Sequence, residues 1–240
     1  MDRQSSAPGA CWATYGATRR ERAAENRESS RGFVEELTRS HGPDAPETLE
    51  ARGSLAWWTG DAGDAAGARD LSAAWAADKA RVCGPDDPEA LGARGEHAHW
   101  TGEAGAPATA RDLLAAVVDE HTRLLEERAA PADVFEPLRG PSLYWRVKHA
   151  YWTGMAGDPA AARDLYAKLV PYMISLHGPR HNDTVDAHIE LARWAGEAGD
   201  PATARDLYSN LIDALTRWRD PRAHDLAEHH AWWATRAPTD

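Results

Sequence analysis

The tetrapeptide Ala-Arg-Asp-Leu occurs four times in this chain, and its repetition constrains the fold more than any other feature. The copies begin at Ala68, Ala110, Ala162 and Ala204, so they are 42, 52 and 42 residues apart. Repeats of this length are units of a few secondary-structure elements that bury their apolar faces by stacking on their neighbours. The sequence therefore predicts an array of similar units.

Two further motifs recur in the same phase. Trp-Thr-Gly or Trp-Ala-Gly lies upstream of every tetrapeptide, beginning at Trp58, Trp100, Trp152 and Trp194, and Trp233 continues this tryptophan series near the C-terminus. A Gly-Pro pair precedes each unit. Proline and acidic residues favour helix starts, and glycine favours helix ends, so Gly60 and Gly63 are expected to end helix A of the first unit. Each unit is therefore predicted to contain two helices, a helix A that ends at the tryptophan motif and a helix B that carries the tetrapeptide.

Helix B of the fourth unit shows the expected amphipathic pattern. Its apolar residues recur at helical spacing, at Ala204, Leu207, Tyr208, Leu211 and Leu215. No segment of the chain alternates polar and apolar residues with period two, which is the pattern of a half-buried strand. We expect helix at well over half of the residues and no strand.

One helical-repeat domain, residues 16–240, is predicted to follow a flexible N-terminus, residues 1–15, which lacks a helical pattern. The domain begins with a leading helix, residues 18–40, and ends with a capping helix, residues 221–236. Between these two helices lie the four repeats, at residues 44–82, 86–128, 141–176 and 181–217.

The repeats resemble tetratricopeptide repeats, in the longer form found in kinesin light chains and in many actinobacterial proteins. The resemblance rests on Gly-Pro-Asp-x-Pro-x-Thr-Leu at residues 42–49, on Leu55-Ala56 in helix A, and on Gly63 and Ala68. A period of 42 residues alone would favour HEAT or armadillo repeats, but small residues twelve apart with glycine between them favour the tetratricopeptide type. The resemblance implies an all-α fold, a right-handed α-solenoid of antiparallel helix hairpins.

In such a solenoid, small residues lie where the helices pack most closely. The corresponding positions here are Ala56, Ala98, Ala150 and Ala192 in helix A, and Ala68, Ala110, Ala162 and Ala204 in helix B.

The resemblance also places certain helix A positions on the concave face of the solenoid, in a groove that would bind a partner. Aromatic side chains there would anchor a polypeptide, and charged side chains would orient it. The candidate partner-binding residues are Trp57, Glu96, His99, Tyr144, Lys148, Tyr151, Glu190, Arg193 and Trp232.

The leading functional hypothesis is an adaptor or regulatory module that binds a protein or peptide in this groove. The alternative is a small enzyme or biosynthetic accessory protein, in which Glu96, His99, Lys148 and Tyr151 supply acid, base and electrostatic stabilisation. The ten extra residues in the third unit, which include Phe135, would then close the groove. A third hypothesis is a structural protein that forms a homodimer through its C-terminal helix.

The charge of the chain argues against nucleic acid and anionic membranes as partners. The formal net charge is −11, and the longest basic patch is Arg19, Arg20 and Arg22. Residues 1–9 lack the apolar core of a signal peptide, and no stretch has the apolar length that spans a bilayer. We therefore expect a cytoplasmic protein.

No metal or other cofactor is expected. The chain has only two cysteines, far apart in sequence. His97, His99 and His149 could form a metal site with Glu96, but His97 and His99 are two residues apart and do not share a helix face. Histidines that are half buried and hydrogen-bonded are the simpler interpretation.

The tryptophan of each Trp-Thr-Gly motif is predicted to stabilise the fold, whereas the residue before it faces the groove. Adjacent helical residues are rotated by about 100°, so Trp100→Ala should cost about 3–5 kcal/mol and His99→Ala less than about 1 kcal/mol. The same contrast is expected in the two following units. Thermal unfolding of the single variants measures it, and equal losses for the two members of a pair would contradict it.

Overall fold

The computed structural model of the chain describes residues 8–127 and 136–236. Within these ranges the chain forms ten helices and no strand, which confirms the predicted all-α class. The helices are α1 (Pro8–His41), α2 (Pro46–Asp61), α3 (Ala65–Cys83), α4 (Pro88–Glu103), α5 (Pro107–Glu127), α6 (Glu136–Met155), α7 (Pro159–His177), α8 (Asn182–Glu197), α9 (Pro201–Trp218) and α10 (Arg222–Ala234).

The chain divides into two compact units, Met1–Leu138 and Arg139–Asp240. In the first unit each helix from α1 to α5 packs on the next, and in the second unit the same holds from α7 to α10. Helices α2, α4, α6 and α8 are the helices A of the four repeats, and α3, α5, α7 and α9 are the helices B. The single domain of residues 16–240 stays a prediction.

Two helices begin earlier than the sequence pattern predicted. Helix α1 starts at Pro8 rather than near residue 18, and proline suits the first turn of a helix. Helix α6 starts at Glu136 rather than at residue 141. Residues 1–7 and the part of the predicted insertion that includes Phe135 lie outside the described residues.

The helix ends follow local capping rules. The carboxylates of Asp64, Asp158 and Asp200 accept hydrogen bonds from backbone amides in the first turns of α3, α7 and α9. After α2 the chain turns at Gly63, whose φ of +100° lies in the left-handed region that favours glycine. Its amide donates to the carbonyl of Gly60 at 2.8 Å. These caps make each hairpin turn short and reproducible.

The small residues of the tetratricopeptide pattern are buried as predicted. All eight alanines are between 0% and 2% exposed. Their small size lets neighbouring helices approach closely, so the motif encodes the spacing of the helices.

The tryptophan motif connects each repeat to the one before it. In three described cases the indole of one motif lies against the glycine of the preceding motif, so closely that a Cβ atom on that glycine would overlap the ring. The pairs are Trp100 on Gly60, Trp194 on Gly154 and Trp233 on Gly196. The interpretation of Gly60 as a residue that ends α2 is wrong, because Gly60 lies inside the helix and receives an indole.

Burial of the tryptophans follows from this contact. Trp100, Trp152, Trp194 and Trp233 are between 3% and 7% exposed, whereas Trp58 of the first repeat is half buried. Four of the five tryptophans in this series therefore lie in the core, as their constant phase predicted.

A buried charge also joins two hairpins in the first unit. Lys79 of α3 is 1% exposed, and its Nζ lies 2.6 Å from Glu50 Oε1 of α2 and 2.6 Å from Glu89 Oε2 of α4. Burial lowers the pKa of Lys79, but hydrogen bonds to the two carboxylates outweigh it and hold the pKa above its usual value. Lys79 therefore stays charged and holds three helices together.

Substitution of the indole-contacting glycines tests the tryptophan contact. Gly60→Ala, Gly154→Ala and Gly196→Ala should each destabilise the fold by about 1–3 kcal/mol, because overpacking outweighs the better helix propensity of alanine. The matched control is Gly92→Ala inside α4, where a Cβ would meet no atom within 4 Å. That change should stabilise by about 0.5–1 kcal/mol. Thermal or urea unfolding measures both effects.

A double variant separates the contact from general effects of alanine. Once Trp100→Ala has removed the ring, Gly60→Ala should no longer destabilise, so the two changes should be strongly non-additive. Additive losses would show that Gly60 does not act through Trp100.

Candidate functional site

Two predicted site residues, Trp57 and Glu96, line a pocket of about 370 Å³ between α2, α3 and α4. We call it the tryptophan pocket, because four indoles form its walls. Its lining is Glu50, Gly53, Ser54, Ala56, Trp57, Trp58, Trp75, Glu96 and Trp100.

The indoles of this pocket are held in place by contacts with α2. The ring centroids of Trp57 and Trp100 are 5.6 Å apart, with ring planes at 71°. Trp75 lies against Gly53, where a Cβ would sit 2.7 Å from the ring. The Nε1 atom of Trp75 is buried, and no described residue accepts its hydrogen bond. Trp57 is 40% exposed, so it presents a ring to solvent.

Sequence reasoning missed Trp75 because it lies on helix B, outside the repeated motifs. The equivalent helix B position in the next repeat holds Val117, a buried core residue. The sequence did contain one hint of Trp75, which is the glycine at position 53 inside α2. Atoms of the Trp75 ring lie closest to the place where a side chain at Gly53 would begin.

His99 is less accessible than the sequence pattern suggested. It is 9% exposed, and its ring centroid lies 4.9 Å from that of Trp100. The ring of Trp100 packs against His99, so little of the His99 side chain is accessible. His99 and Trp57 both line a second pocket, of about 570 Å³, and the role of His99 in binding stays a prediction.

Three predicted residues of the second unit meet in one pocket. Tyr144, Lys148 and Glu190 line a cavity of about 280 Å³ between α6, α7 and α8, which we call the α6–α8 pocket. Lys148 Nζ lies 5.4 Å from the centroid of the Tyr144 ring. The apolar residues of the lining are Leu143, Val147, Met173 and Ala187. Its other polar residues are Tyr166, His177, Asp183 and Asp186.

The carboxylates of the α6–α8 pocket are incompletely compensated. Burial raises the pKa of Glu190, although Arg193, whose Nη1 lies 3.5 Å from Glu190 Oε2, and Trp194 act in the opposite direction. Burial also raises the pKa of Asp186, against the effect of Arg222. Both acids would therefore gain from an additional cation nearby.

Tyr166 shows why a shifted pKa does not identify a catalytic group here. Burial raises its pKa strongly, and its hydroxyl donates to the carbonyl of Val147 at 3.4 Å. Tyr208 repeats this arrangement one hairpin later, donating to Ile189 at 3.4 Å with its pKa raised to about 12. The two tyrosines tie helix B to helix A.

Arg193 and Trp232 line a fourth pocket, of about 410 Å³, formed by residues of α8, α9 and α10. Trp232 is 46% exposed, and the guanidinium carbon of Arg236 lies 3.6 Å from its ring centroid. Tyr151 is half buried and packs on Trp152, with ring centroids 5.1 Å apart. Tyr151 does not line the α6–α8 pocket or the pocket of Trp232.

The four residues of the enzyme hypothesis belong to different compact units. Glu96 and His99 lie in the first unit, and Lys148 and Tyr151 lie in the second. The enzyme alternative stays an untested hypothesis.

Among residues 8–127 and 136–236, one group of three potential ligands has its donor atoms within 4.8 Å of one another, formed by Cys83, Asp87 and Glu89. Both carboxylates already have structural roles. Asp87 accepts the amide of Glu89 at the start of α4, and Glu89 pairs with Lys79. His97, a candidate ligand in the sequence, has its Nδ1 3.3 Å from the carbonyl of Arg69.

None of the described helices combines the length and apolar character needed to cross a membrane.

No family model matches the chain, and no curated protein matches it significantly. Solved structures do match. One is a protein of Podosopora anserina described as a putative kinesin light chain with nearly identical TPR-like repeats, solved both as a single-substitution variant and in a second structure. Both structures are 18% identical in sequence to this chain, and each match covers 85% of this chain. The matches cover 95% and 96% of the two solved chains, and the TM-scores are 0.65 and 0.63.

A third solved structure, BtubC (BKLC) from P. vanneervenii, is 13% identical in sequence to this chain. The match covers 94% of this chain and 94% of BtubC, with a TM-score of 0.57. The chain has a tetratricopeptide-like repeat fold. This confirms the predicted all-α, tetratricopeptide-like class of antiparallel helix hairpins. At these identities the likeness concerns the fold, and the actinobacterial type stays a prediction.

The opposite pKa shifts of Glu190 and Asp220 predict opposite stability effects. Because the pKa of Glu190 is raised in the folded state, its ionisation above about pH 4.3 opposes folding. Glu190→Gln should therefore raise the unfolding temperature at pH 7, and the difference should vanish near about pH 3.

Asp220 serves as the contrasting site, because hydrogen bonds from Arg222 lower its pKa to about 2. Its contribution to stability is present above the usual aspartate pKa of about 3.9 and is lost as the pH falls towards 2. Asp220→Asn should lower the unfolding temperature at pH 7 and have little effect at about pH 2. The same sign for both variants at pH 7 would contradict this electrostatic account.

Proposed function

We propose that this chain is a protein-interaction module that binds a polypeptide segment on its helix A surface. Tetratricopeptide-like repeats are commonly scaffolds for protein interactions. The observation that carries the proposal is the α6–α8 pocket, where Tyr144, Lys148 and Glu190 from two successive helices A surround an apolar floor. An apolar pocket with a few polar groups at its edge is the usual form of a site that takes one anchoring side chain.

A second pocket on the same surface favours an extended ligand. Glu190 lines the α6–α8 pocket and Arg193 lines the pocket of Trp232, and the two side chains are 3.5 Å apart. The pockets therefore adjoin along α8. A polypeptide can place two side chains in adjoining pockets, whereas a compact small molecule fills only one.

The charges of the α6–α8 pocket indicate what lies next to the anchor. Asp183, Asp186 and Glu190 outnumber Lys148 among its charged lining residues, and the whole chain is acidic. Complementary charge steers association and selects among partners. We infer that the segment carries an apolar or aromatic anchor flanked by lysine or arginine, and that a cytoplasmic protein supplies it. Pairing of two copies through α10 is a separate proposal.

Selection from a phage-displayed random peptide library tests the proposal. The library should yield peptides with an apolar anchor and flanking basic residues. Tyr144→Ala and Trp232→Ala should each weaken a selected peptide by about tenfold or more, because loss of an anchor contact commonly costs more than about 1 kcal/mol. Titration calorimetry measures the affinity, and thermal unfolding reports whether each variant is folded.

The control variant is Arg163→Ala on helix B, whose guanidinium pairs with Asp164 outside both pockets. It should bind the selected peptides normally. Failure to select any peptide, or peptides whose binding tolerates both pocket variants, would refute the proposed binding surface.

A further inference from the structure

The tryptophan pocket of the first unit has an unusual lining. Four indoles and two carboxylates form most of its wall, and the remaining residues are glycine, serine and alanine. No lysine or arginine is among the described residues that line it. The pocket therefore combines electron-rich ring faces with negative charge and has no cationic side chain in its lining.

Three other tryptophans in the described part of the chain already have an arginine side chain packed on their ring. The guanidinium carbons of Arg193, Arg180 and Arg236 lie 4.4, 5.8 and 3.6 Å from the ring centroids of neighbouring tryptophans, Trp194, Trp218 and Trp232. None of these three contacts involves an indole of the tryptophan pocket. A cation is the preferred electrostatic partner of an indole face, so a cationic ligand suits the place where the indoles are most concentrated.

The pocket is built into the packing of the hairpins. Gly53 and Gly60, both on α2, receive Trp75 from α3 and Trp100 from α4. Trp57 stands at 71° to Trp100 and remains 40% exposed. Rings that are fixed before a ligand arrives lose little conformational entropy on binding, so such a pocket is preorganised.

Negative charge is held at the same place. Glu50 is anchored by buried Lys79 at 2.6 Å, while its own side chain is 65% exposed. Glu96 of α4 is part of the lining. Lys79 is shared by Glu50 and Glu89, so these three side chains together keep a net negative charge, which attracts a cation and repels an anion.

We propose that the tryptophan pocket binds a quaternary ammonium group. A trimethylammonium head is cationic, presents methyl groups to aromatic faces and has no N–H donor that needs a hydrogen-bond partner, which suits walls made of indole rings. A volume of about 370 Å³ accommodates one such head. This site lies in the other compact unit from the peptide-binding pockets and does not depend on them.

Choline and its neutral isostere, 3,3-dimethyl-1-butanol, separate a cation site from a merely apolar one. The two differ chiefly in the charge of the central atom. Titration of the full chain, followed by NMR of the indole Nε1–H signals, should show saturable shifts with choline and binding at least about tenfold weaker with the alcohol. Equal binding of the two, or no shifts with choline, would overturn the proposal.

Single substitutions locate the site. Trp57→Leu should weaken choline by about tenfold or more, since it removes an exposed ring. The control is Tyr172→Leu on α7, an aromatic residue that is 45% exposed and lies outside the lining of the tryptophan pocket, and this variant should bind choline as the unaltered chain does. Glu96→Gln preserves the side-chain shape and should also weaken choline. If choline binding survives both Trp57→Leu and Glu96→Gln, the assigned site is wrong.

A second pair of probes identifies the source of the ammonium group. A short peptide with trimethyllysine is compared with the same peptide carrying unmodified lysine. Tighter binding of the methylated peptide than of choline assigns the site to a modified protein, and the reverse order assigns it to a small molecule. Equal binding of the two peptides, like failure of choline, would contradict quaternary ammonium recognition.

Discussion

The contact between an indole and a glycine of the preceding repeat is the interaction on which this fold depends. It requires glycine for the space it leaves rather than for its backbone freedom, because Gly60, Gly154 and Gly196 are all helical. A ring that fits against a bare helix backbone fixes both the distance and the rotation between two hairpins. The buried alanines then set how closely the two helices of each hairpin approach.

This contact also explains why the exposed surfaces of the helices A differ between repeats. The tryptophan of each motif packs against its neighbours and is the same in every repeat, whereas the residue before it varies. In chain order the preceding residues are Trp57, His99, Tyr151, Arg193 and Trp232. The first unit consequently has an aromatic pocket with carboxylates. The second has an apolar floor with a mixed charged rim. One scaffold thus offers two chemically different surfaces.

Much of the fold could be predicted from sequence because the residues that make the same packing contact recur at the same position in several repeats. Four copies of one motif distinguish packing residues from surface residues without any structure. Features that occur once were harder to predict. Trp75 has no counterpart in the other repeats, and the early start of α6 follows from a third repeat that departs from the pattern. Gly60 was misinterpreted because glycine serves both as a helix end and as space for a ring. His99 packs against the ring of Trp100, and the spacing of the repeats does not reveal this contact.

The buried ion pairs of Lys79 affect how the first unit unfolds. Arrays of repeats are coupled through nearest neighbours, and their end units usually open first. Here one buried ammonium is shared by α2, α3 and α4, so separating the first hairpin from the second would leave a charge in the interior with half of its compensation. Independent fraying of the first hairpin is therefore suppressed, and backbone amides of these three helices should become accessible to solvent in a single opening event rather than in sequence.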